Sequence, residues 1–231
     1  MSPTHGICLM TALPLLTTTA LSYHAQDRTL LDNVSFTLHR GQKVTLVGRS
    51  GSGKSVLLQA LADLLPLDNA VADSIMLNKT PICQIPPQDY RSIVALFHQI
   101  PSLSDGTVLD NLTAPFDFKY HQNKSFDKDW HLKKLAMLGK HDNFINQSIH
   151  ELSGGERQIV SFLRTLQFNP AIALFDETTS ALDDETANLL IKLVLDWHDE
   201  HKALIWVTHT VSEQQALGAD LWCMDNGVLT V

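Results

Sequence analysis

The stretch KVTLVGRSGSGKSVLLQAL, residues 43–61, gives the clearest indication of the architecture of this chain. The first five residues are typical of a buried strand, the glycines and serines favour a tight loop, and leucines then recur at helical spacing. Within the loop, GRSGSGKS fits the pattern G-x-x-x-x-G-K-[ST] with Gly48, Gly53, Lys54 and Ser55. A strand, a glycine-rich loop and a helix in this order predict a loop whose backbone N–H groups surround a phosphate.

The composition narrows the class of protein to which such a loop could belong. The chain has 231 residues, 44% of them hydrophobic, which suits one soluble domain with a substantial core. Lys and Arg number 17 against 25 Asp and Glu, a net charge of −8, so no basic face for a nucleic acid is expected. The three cysteines have no CxxC spacing, which argues against disulfides or a zinc site and fits the cytoplasm.

The first twenty residues are apolar but are not predicted to be a signal peptide. They carry no Lys or Arg and are interrupted by Pro14 and a run of threonines. Elsewhere no stretch approaches the roughly 18 to 20 apolar residues that a membrane span needs. The chain is therefore not expected to cross a bilayer by itself.

Strands alternate with helices along most of the chain, which predicts an α/β fold with a mostly parallel sheet. Leu57, Leu61, Leu64 and Leu65 share one face, so the first helix is expected to run until Pro66 ends it. Further strands are predicted at 15–23, 33–38, 74–80, 92–98, 171–175 and 203–208, with a terminal hairpin that turns at residues 226–227.

Between about residues 99 and 156 the pattern changes to helical pieces. TVLDNL, at 107–112, and FDKDWHLKKLAMLG, at 126–139, both have helical character. Ser125 is expected to cap the second helix and Gly139 to end it. We interpret this stretch as a helical subdomain inserted into the sheet.

Two acids follow a predicted buried strand in AIALFDE. In open α/β sheets, ligands bind at the carboxyl ends of the strands, which is where Asp176 and Glu177 would lie. Asp176 and Ser55 could then be ligands of Mg²⁺, and Lys54 could contact the β and γ phosphates. Glu177 could orient an attacking water. The alternative is that both acids are solvated loop residues.

His209 follows the strand ALIWVT in the same way, so its imidazole could approach a γ phosphate. An incidental histidine at a strand end is the alternative. A second glycine-rich loop, LSGGE, precedes another helix, and Ser153, Gly154 and Gly155 would form an anion site there with the helix dipole. This loop has no lysine, so it is half of a phosphate site.

Six motifs in order, GRSGSGKS, FHQIP, LSGGERQ, AIALFDE, SALD and WVTHT, resemble the nucleotide-binding domain of ABC (ATP-binding cassette) ATPases from about Leu15 onward. The resemblance implies a P-loop NTPase (RecA-like) core, an N-terminal antiparallel β subdomain and an inserted α-helical subdomain. It implies one domain over 1–231, with the core at about 15–98 and 157–231 and the helical subdomain at about 99–156.

The resemblance also implies site residues. ATP and Mg²⁺ would be the cofactors, with Ser55, Gln99 and Asp176 at the metal. Catalysis would use Lys54, Gln99, Glu177 and His209. Tyr23 lies where the family stacks an aromatic ring on adenine, although packing in the core is the rival interpretation. The predicted ATP-binding loop comprises Gly48, Arg49, Ser50, Gly51, Ser52, Gly53, Lys54, Ser55 and Val56.

A head-to-tail homodimer follows from the resemblance. Each ATP would lie between the P-loop (residues 48–55) of one copy and the signature loop (LSGGE, residues 152–156) of the other. Ser153, Gly154, Gly155 and the D-loop residue Asp183 would contact the ATP of the opposite subunit. Ile159 departs from the family, where many members have a basic residue, but the phosphate-facing atoms are unaffected.

Transport through a separately encoded integral membrane permease is the expected role, with the chain peripheral on the inner face of the cell membrane and no nucleic acid partner. Two stretches in the last eighty or so residues, 162–186 and 203–227, resemble the ATPase subunits of small two-component bacterial exporters, including those assigned to iron efflux. A soluble ABC-type ATPase of an assembly system, such as iron–sulfur cluster assembly, is the alternative. A non-catalytic nucleotide-binding module conflicts with the presence of both Glu177 and His209.

Overall fold

The structure, a computed structural model, describes residues 13–25, 27–67 and 69–231. The first twelve residues, most of the stretch for which no signal peptide is predicted, lie outside the described residues. The strands are β1 (Pro14–Ala25), β2 (Arg28–His39), β3 (Lys43–Val47), β4 (Ile75–Leu77), β5 (Thr80–Pro81), β6 (Val94–Phe97), β7 (Ile172–Asp176), β8 (Ala203–Val207), β9 (Asp220–Asp225) and β10 (Val228–Thr230). The helices are α1 (Lys54–Leu61), α2 (Asn69–Ala72), α3 (Pro87–Ile93), α4 (Val108–Thr113), α5 (Lys128–Met137), α6 (Gly154–Leu166), α7 (Asp184–Trp197) and α8 (Val211–Leu217).

The strands form two sheets. The first is antiparallel, in the order β2-β1-β4-β5. The second has the order β10-β9-β3-β8-β7-β6, and its pairs are parallel except for the terminal hairpin β9–β10. The predicted α/β class, with a mostly parallel sheet and an N-terminal antiparallel β subdomain, is confirmed.

The central strands of the parallel sheet are buried on both faces. Every residue of β7 and β8 is buried. Along β7, Ile172 and Leu174 pack into one hydrophobic cluster, while Ala173 and Phe175 pack into the other. Because side chains alternate across a strand, these clusters lie on opposite faces of the sheet. The carboxyl ends of β6, β7 and β8 therefore meet at one edge, above a core that cannot easily shift.

The segment between β6 and β7 contains the helices α4, α5 and α6 and a bridge between Thr107 and Ser148. The predicted limit of the helical subdomain, at residue 156, falls inside α6, so the subdomain limits stay a prediction. The predicted cap at Ser125 is wrong, because Asp127 Oδ1 accepts from the backbone N–H of Trp130 at 2.9 Å instead.

The helix α1 is shorter than the leucine spacing predicts. It ends at Leu61, and Asp63 adopts a left-handed conformation with φ 54°. Arg91 holds this turn by donating to the carbonyl of Asp63 at 2.6 Å and to its carboxylate at 3.2 Å. Leu64 is exposed, and the extension to Leu65 is wrong because the left-handed backbone of Asp63 does not continue the helix after Leu61.

Candidate functional site

The glycine-rich loop joins β3 to α1 and can be built only with glycine at certain positions. Gly48 has φ 154°, and a Cβ there would lie 2.1 Å from the carbonyl oxygen of Met224. Gly53, before α1, has φ 105°, and its Cβ would lie 2.7 Å from the carbonyl oxygen of Leu30. The backbone of this loop is thus pressed against β9 and β2, which fixes its course.

Lys54 is buried at the start of α1, and its Nζ donates to the carbonyl oxygens of Gly48 at 2.8 Å and Arg49 at 3.0 Å. An ammonium group has three donors, so these two bonds leave one N–H for a further acceptor. The loop residues Arg49, Ser50 and Gly51 are exposed, so their backbone is open to a ligand. This arrangement suits a phosphate at the loop.

Ser55 and Asp176 are joined across 121 residues of sequence. The hydroxyl of Ser55 donates to Asp176 Oδ1 at 3.0 Å. Burial of Asp176 at the end of β7 raises the pKa of its carboxyl above the ordinary value, although the bond from Ser55 opposes this shift. A hydroxyl and a buried carboxylate side by side are oxygen ligands of the kind Mg²⁺ prefers, so these two residues fit the metal.

Glu177 lies at the centre of a three-residue cluster. Gln99 Nε2 donates to Glu177 Oε2 at 3.1 Å, and His209 Nε2 lies 3.1 Å from Glu177 Oε1. These residues follow β6, β7 and β8, whose carboxyl ends are adjacent in the sheet. The tertiary structure thus brings together Gln99, Glu177 and His209, which the sequence predicts as catalytic. The side chain of Gln99 is bonded to Glu177 rather than to Ser55 or Asp176.

The second glycine-rich loop starts α6 with a capping box. Ser153 Oγ accepts from the backbone N–H of Glu156 at 3.2 Å, and the backbone N–H of Ser153 donates to Glu156 Oε2 at 2.9 Å. Lys140 Nζ lies 2.9 Å from Glu156 Oε1. The bond from Ser153 and the ammonium of Lys140 hold the pKa of Glu156 below its usual range. The hydroxyl of Ser153 keeps its own hydrogen for donation to a ligand.

Ser153, Gly154 and Gly155 line a cleft of about 240 Å³ together with Asp183. Asp183 caps α7 by accepting from the backbone N–H of Thr186 at 2.9 Å. The described residues that line this cleft include none of residues 48–55. The first glycine-rich loop therefore does not line the cleft that holds Ser153, Gly154 and Gly155.

Gln158, the last residue of LSGGERQ, is a further polar residue near the site that the motif pattern alone does not indicate. It is buried, and its Nε2 donates to the carbonyl oxygen of His98 at 2.8 Å, next to Gln99. The bond connects α6 to the end of β6. A polar residue on the buried face of an amphipathic helix is the signal that could have indicated it.

Tyr23 lies on β1, where it is half-buried and packs against the hydrophobic cluster that includes Leu31. This contact agrees with the core-packing interpretation. Stacking of Tyr23 on adenine stays a prediction. Val56, the last residue of the predicted ATP-binding loop, is also half-buried, in the first turn of α1.

Comparison with known proteins identifies the family. Residues 31–180 match the ABC transporter family. The probable iron export ATP-binding protein FetA of Escherichia coli (strain K12) is 33% identical over 201 residues, which is 87% of this chain and 87% of that protein. The methionine import ATP-binding protein MetN 1 of Rhodopseudomonas palustris (strain ATCC BAA-98 / CGA009) is 30% identical over 202 residues, which is 85% of this chain and 53% of that protein.

A solved structure of a bacterial Atm1-family ABC exporter with ATP bound matches with a TM-score of 0.77 and 25% identity. The match covers 94% of this chain, which spans only 38% of the exporter chain. This chain belongs to the ABC transporter family. It is an ATP-binding subunit of that family, and the family implies ATP hydrolysis coupled to transport. Within the described residues, no helix has the length and apolar character to span a membrane.

Proposed function

We propose that this chain powers an exporter of iron or another metal as a head-to-tail homodimer, docked on a separately encoded permease at the inner face of the cell membrane. The observation that supports the dimer is that the cleft containing Ser153 and Asp183 is not lined by any residue of the P-loop of the same chain. A second copy would supply the signature loop that each P-loop lacks.

Catalysis would rest on positioning and charge. The P-loop backbone and Lys54 would hold the β and γ phosphates, and Glu177 would orient the attacking water. Gln99 and His209 would keep the Glu177 carboxylate in place, since each lies 3.1 Å from one of its oxygens. Mg²⁺, held by Ser55 and Asp176 with Gln99 nearby, would neutralise charge on the phosphate oxygens when bound.

The signature loop would complete the site across the dimer. Its hydroxyl at Ser153 and its amides at Gly154 and Gly155 would donate to the γ phosphate of the opposite subunit, favoured by the N-terminal dipole of α6. Loss of the γ phosphate would remove these bonds, so the two copies would separate. This cycle would drive a permease that holds both copies.

A groove of about 520 Å³ is the proposed docking surface for the permease. One wall comes from α3 and β6, and the other comes from residues 118–121 and the segment after α6. Phe118 is 67% exposed and Tyr120 is 42% exposed, although large aromatic side chains are normally covered. The groove lies beside β6, and Gln99 follows the end of β6 by two residues. A partner bound in the groove could therefore move Gln99 and, through its hydrogen bond, the side chain of Glu177.

The proposed direction of transport and the proposed cargo rest on similarity to known proteins alone. A relative that matches 87% of this chain is named for iron export, and the solved neighbour is an exporter, which together favour export of a metal. A methionine import relative at 30% identity shows that import proteins are nearly as similar. The relatives are named as transport proteins, so a soluble assembly ATPase finds no support among them.

Membrane docking is tested by co-purification. The tagged chain, isolated from detergent-solubilised membranes, is expected to carry a protein with several membrane spans, and Phe118→Asp is expected to lose it. Leu221→Asp, which alters an exposed apolar residue of β9, is the matched control and should retain the partner. Recovery of a soluble scaffold protein instead would favour the assembly function.

Export is tested in vesicles that contain the permease with the ATP-binding subunits outside. ATP is expected to drive accumulation of radioactive Fe²⁺ inside, and Glu177→Gln should abolish it. Zn²⁺ and Mn²⁺ serve as competing metals. ATP-driven release of preloaded metal would contradict export, and hydrolysis without any movement of metal would contradict a metal cargo.

A further inference from the structure

A buried hydrogen bond joins the strand before His209 to the helix after it. Trp206, on β8, has no solvent exposure, and its indole Nε1 donates to Glu213 Oε2 at 3.1 Å. Glu213 lies on α8, and only 8% of its surface is exposed. Its carboxylate is thus one of the few acidic groups buried in the described part of the chain, and a buried acid is costly unless it has a partner.

The bond closes the segment that carries His209. Residues 208–210 form the connection between β8 and α8, and the backbone N–H of Thr210 donates to Thr208 Oγ1 at 3.0 Å within it. Trp206 and Glu213 hold the two ends of the connection together. A short connection fixed at both ends has few backbone conformations left, so the direction of the His209 side chain is restricted.

Among the described residues, the side chain of His209 has a hydrogen bond to Glu177, at 3.1 Å. The side chain is 52% exposed, so further support for its orientation must come from its backbone. An exposed imidazole with one hydrogen bond gains little from packing, since its ring contacts solvent on about half its surface. The orientation of His209 therefore depends on its backbone, which the Trp206–Glu213 bond anchors.

Trp206 is itself held by an aromatic row beneath the cluster of Gln99, Glu177 and His209. Its ring centroid lies 4.5 Å from that of Phe175, which lies 4.5 Å from that of Phe97. Phe97 and Phe175 each stand two residues before a member of the cluster. Glu213 also lines the cleft of about 390 Å³ that contains Glu177 and His209. The anchor for His209 is thus part of the same rigid wall.

We infer that Glu213 is a positioning residue for ATP hydrolysis, which acts through Trp206 by fixing His209 against Glu177. The inference rests on the proposed roles of His209 and Glu177. Glu213 itself does not touch the reacting atoms. Its loss should lower kcat and leave the ATP-binding loop, which lies on other elements, unchanged.

Three substitutions distinguish the effect of losing the Trp206–Glu213 hydrogen bond from the effect of changing the size of the side chains. Glu213→Leu removes the acceptor, Glu213→Gln keeps an acceptor oxygen, and Trp206→Phe removes the donor but keeps an aromatic ring. Glu213→Leu and Trp206→Phe are each expected to lower kcat about tenfold or more, with KM for ATP within about twofold. Glu213→Gln is expected to stay within about threefold of the parent.

Tyr90→Phe is the matched control for loss of a buried bond. The hydroxyl of Tyr90, which is 1% exposed, donates to the carbonyl of Leu61 at 2.6 Å, away from the Glu177 cluster. This variant should lower the melting temperature and leave kcat unchanged. A merely structural role of Glu213 would give the same result in Glu213→Leu, once turnover is expressed per ATP-binding site.

A double-mutant cycle with His209→Ala decides whether Glu213 acts through the histidine. The variant His209→Ala/Glu213→Leu is expected to turn over at the rate of His209→Ala alone. A further tenfold loss in the double variant, or unchanged kcat in Glu213→Leu, would overturn the inference while the proposed function stands. If His209→Ala keeps full turnover, the proposed role of His209 fails and the inference fails with it.

A measurement on the folded protein covers the case in which Glu213→Leu does not fold. The indole N–H signal of Trp206, assigned in ¹H–¹⁵N spectra with Trp206→Phe, is expected to exchange slowly with D₂O and to shift in Glu213→Gln. Fast exchange, or no shift in that variant, would contradict the bond.

Discussion

His209 Nε2 lies 3.1 Å from Glu177 Oε1, and Gln99 Nε2 lies 3.1 Å from the other oxygen of the same carboxylate. The side chain of Glu177 is therefore fixed from both sides by residues that follow two different strands. Its backbone is also unusual, with φ 47° in the left-handed region. A carboxylate held in this way is preorganised to orient a water molecule, which lowers the entropic cost of the attack.

Glu177→Gln should retain ATP but lose turnover. The amide keeps the size of the side chain and removes its basicity, so we expect kcat to fall by about 10² or more. The variant should accumulate as a dimer in ATP and Mg²⁺, measured by size exclusion with light scattering. Glu185→Gln, an exposed acid in the first turn of α7, is the control and should hydrolyse ATP normally. A monomer at saturating ATP would count against the shared site.

Ser153→Arg should prevent the dimer when it is added to Glu177→Gln. The new side chain places bulk and positive charge where the γ phosphate of the opposite copy would lie. In the parent background it should abolish ATPase activity while ATP still binds to the P-loop, as measured by calorimetry. Ser125→Arg, an exposed residue before α5, is the matched control. Full ATPase activity in Ser153→Arg would remove the proposed role of the signature loop.

Gly48→Ala should destabilise the P-loop. The added Cβ would lie 2.1 Å from the carbonyl oxygen of Met224, so β9 or the loop must move. We expect a loss of about 2 kcal/mol or more in the free energy of unfolding and at least about tenfold weaker ATP binding. Gly139→Ala is the control, because its φ is 71° and its Cβ would meet no atom within 4 Å. It should lose roughly 1 kcal/mol and bind ATP normally.

Glu156→Gln should lower stability at neutral pH but not in acid. The folded pKa of Glu156 is held below the ordinary value, so its contribution is present above about pH 4.3, the ordinary glutamate pKa, and is lost as pH falls through the folded pKa. We expect a difference of about 1 kcal/mol at pH 7 in urea unfolding. Glu151→Gln, an exposed neighbour, is the control. A difference that persists at the lowest pH would contradict this assignment.

A turn could be predicted from the sequence where the backbone preferences of its own residues determine its conformation. The turn at Asn226 and Gly227 has φ of 48° and 83°, as expected from residue types that tolerate left-handed backbone. The cap of α5 and the end of α1 were not predictable in the same way. Asp127 competes with Ser125 for the cap within one turn, and α1 ends just before Asp63, whose turn is bonded to Arg91, 28 residues further along the chain.

The P-loop, the signature loop and the order of the motifs could be predicted from the amino-acid sequence, because each depends on a few adjacent residues whose backbone preferences are intrinsic. Which of these residues touch became known only from the folded chain. Ser55 meets Asp176, and Gln99 and His209 meet Glu177, because the order of the parallel strands places three carboxyl ends side by side. The Trp206–Glu213 bond belongs to this second group, since nothing in the local sequence indicates that an indole and a buried acid will pair.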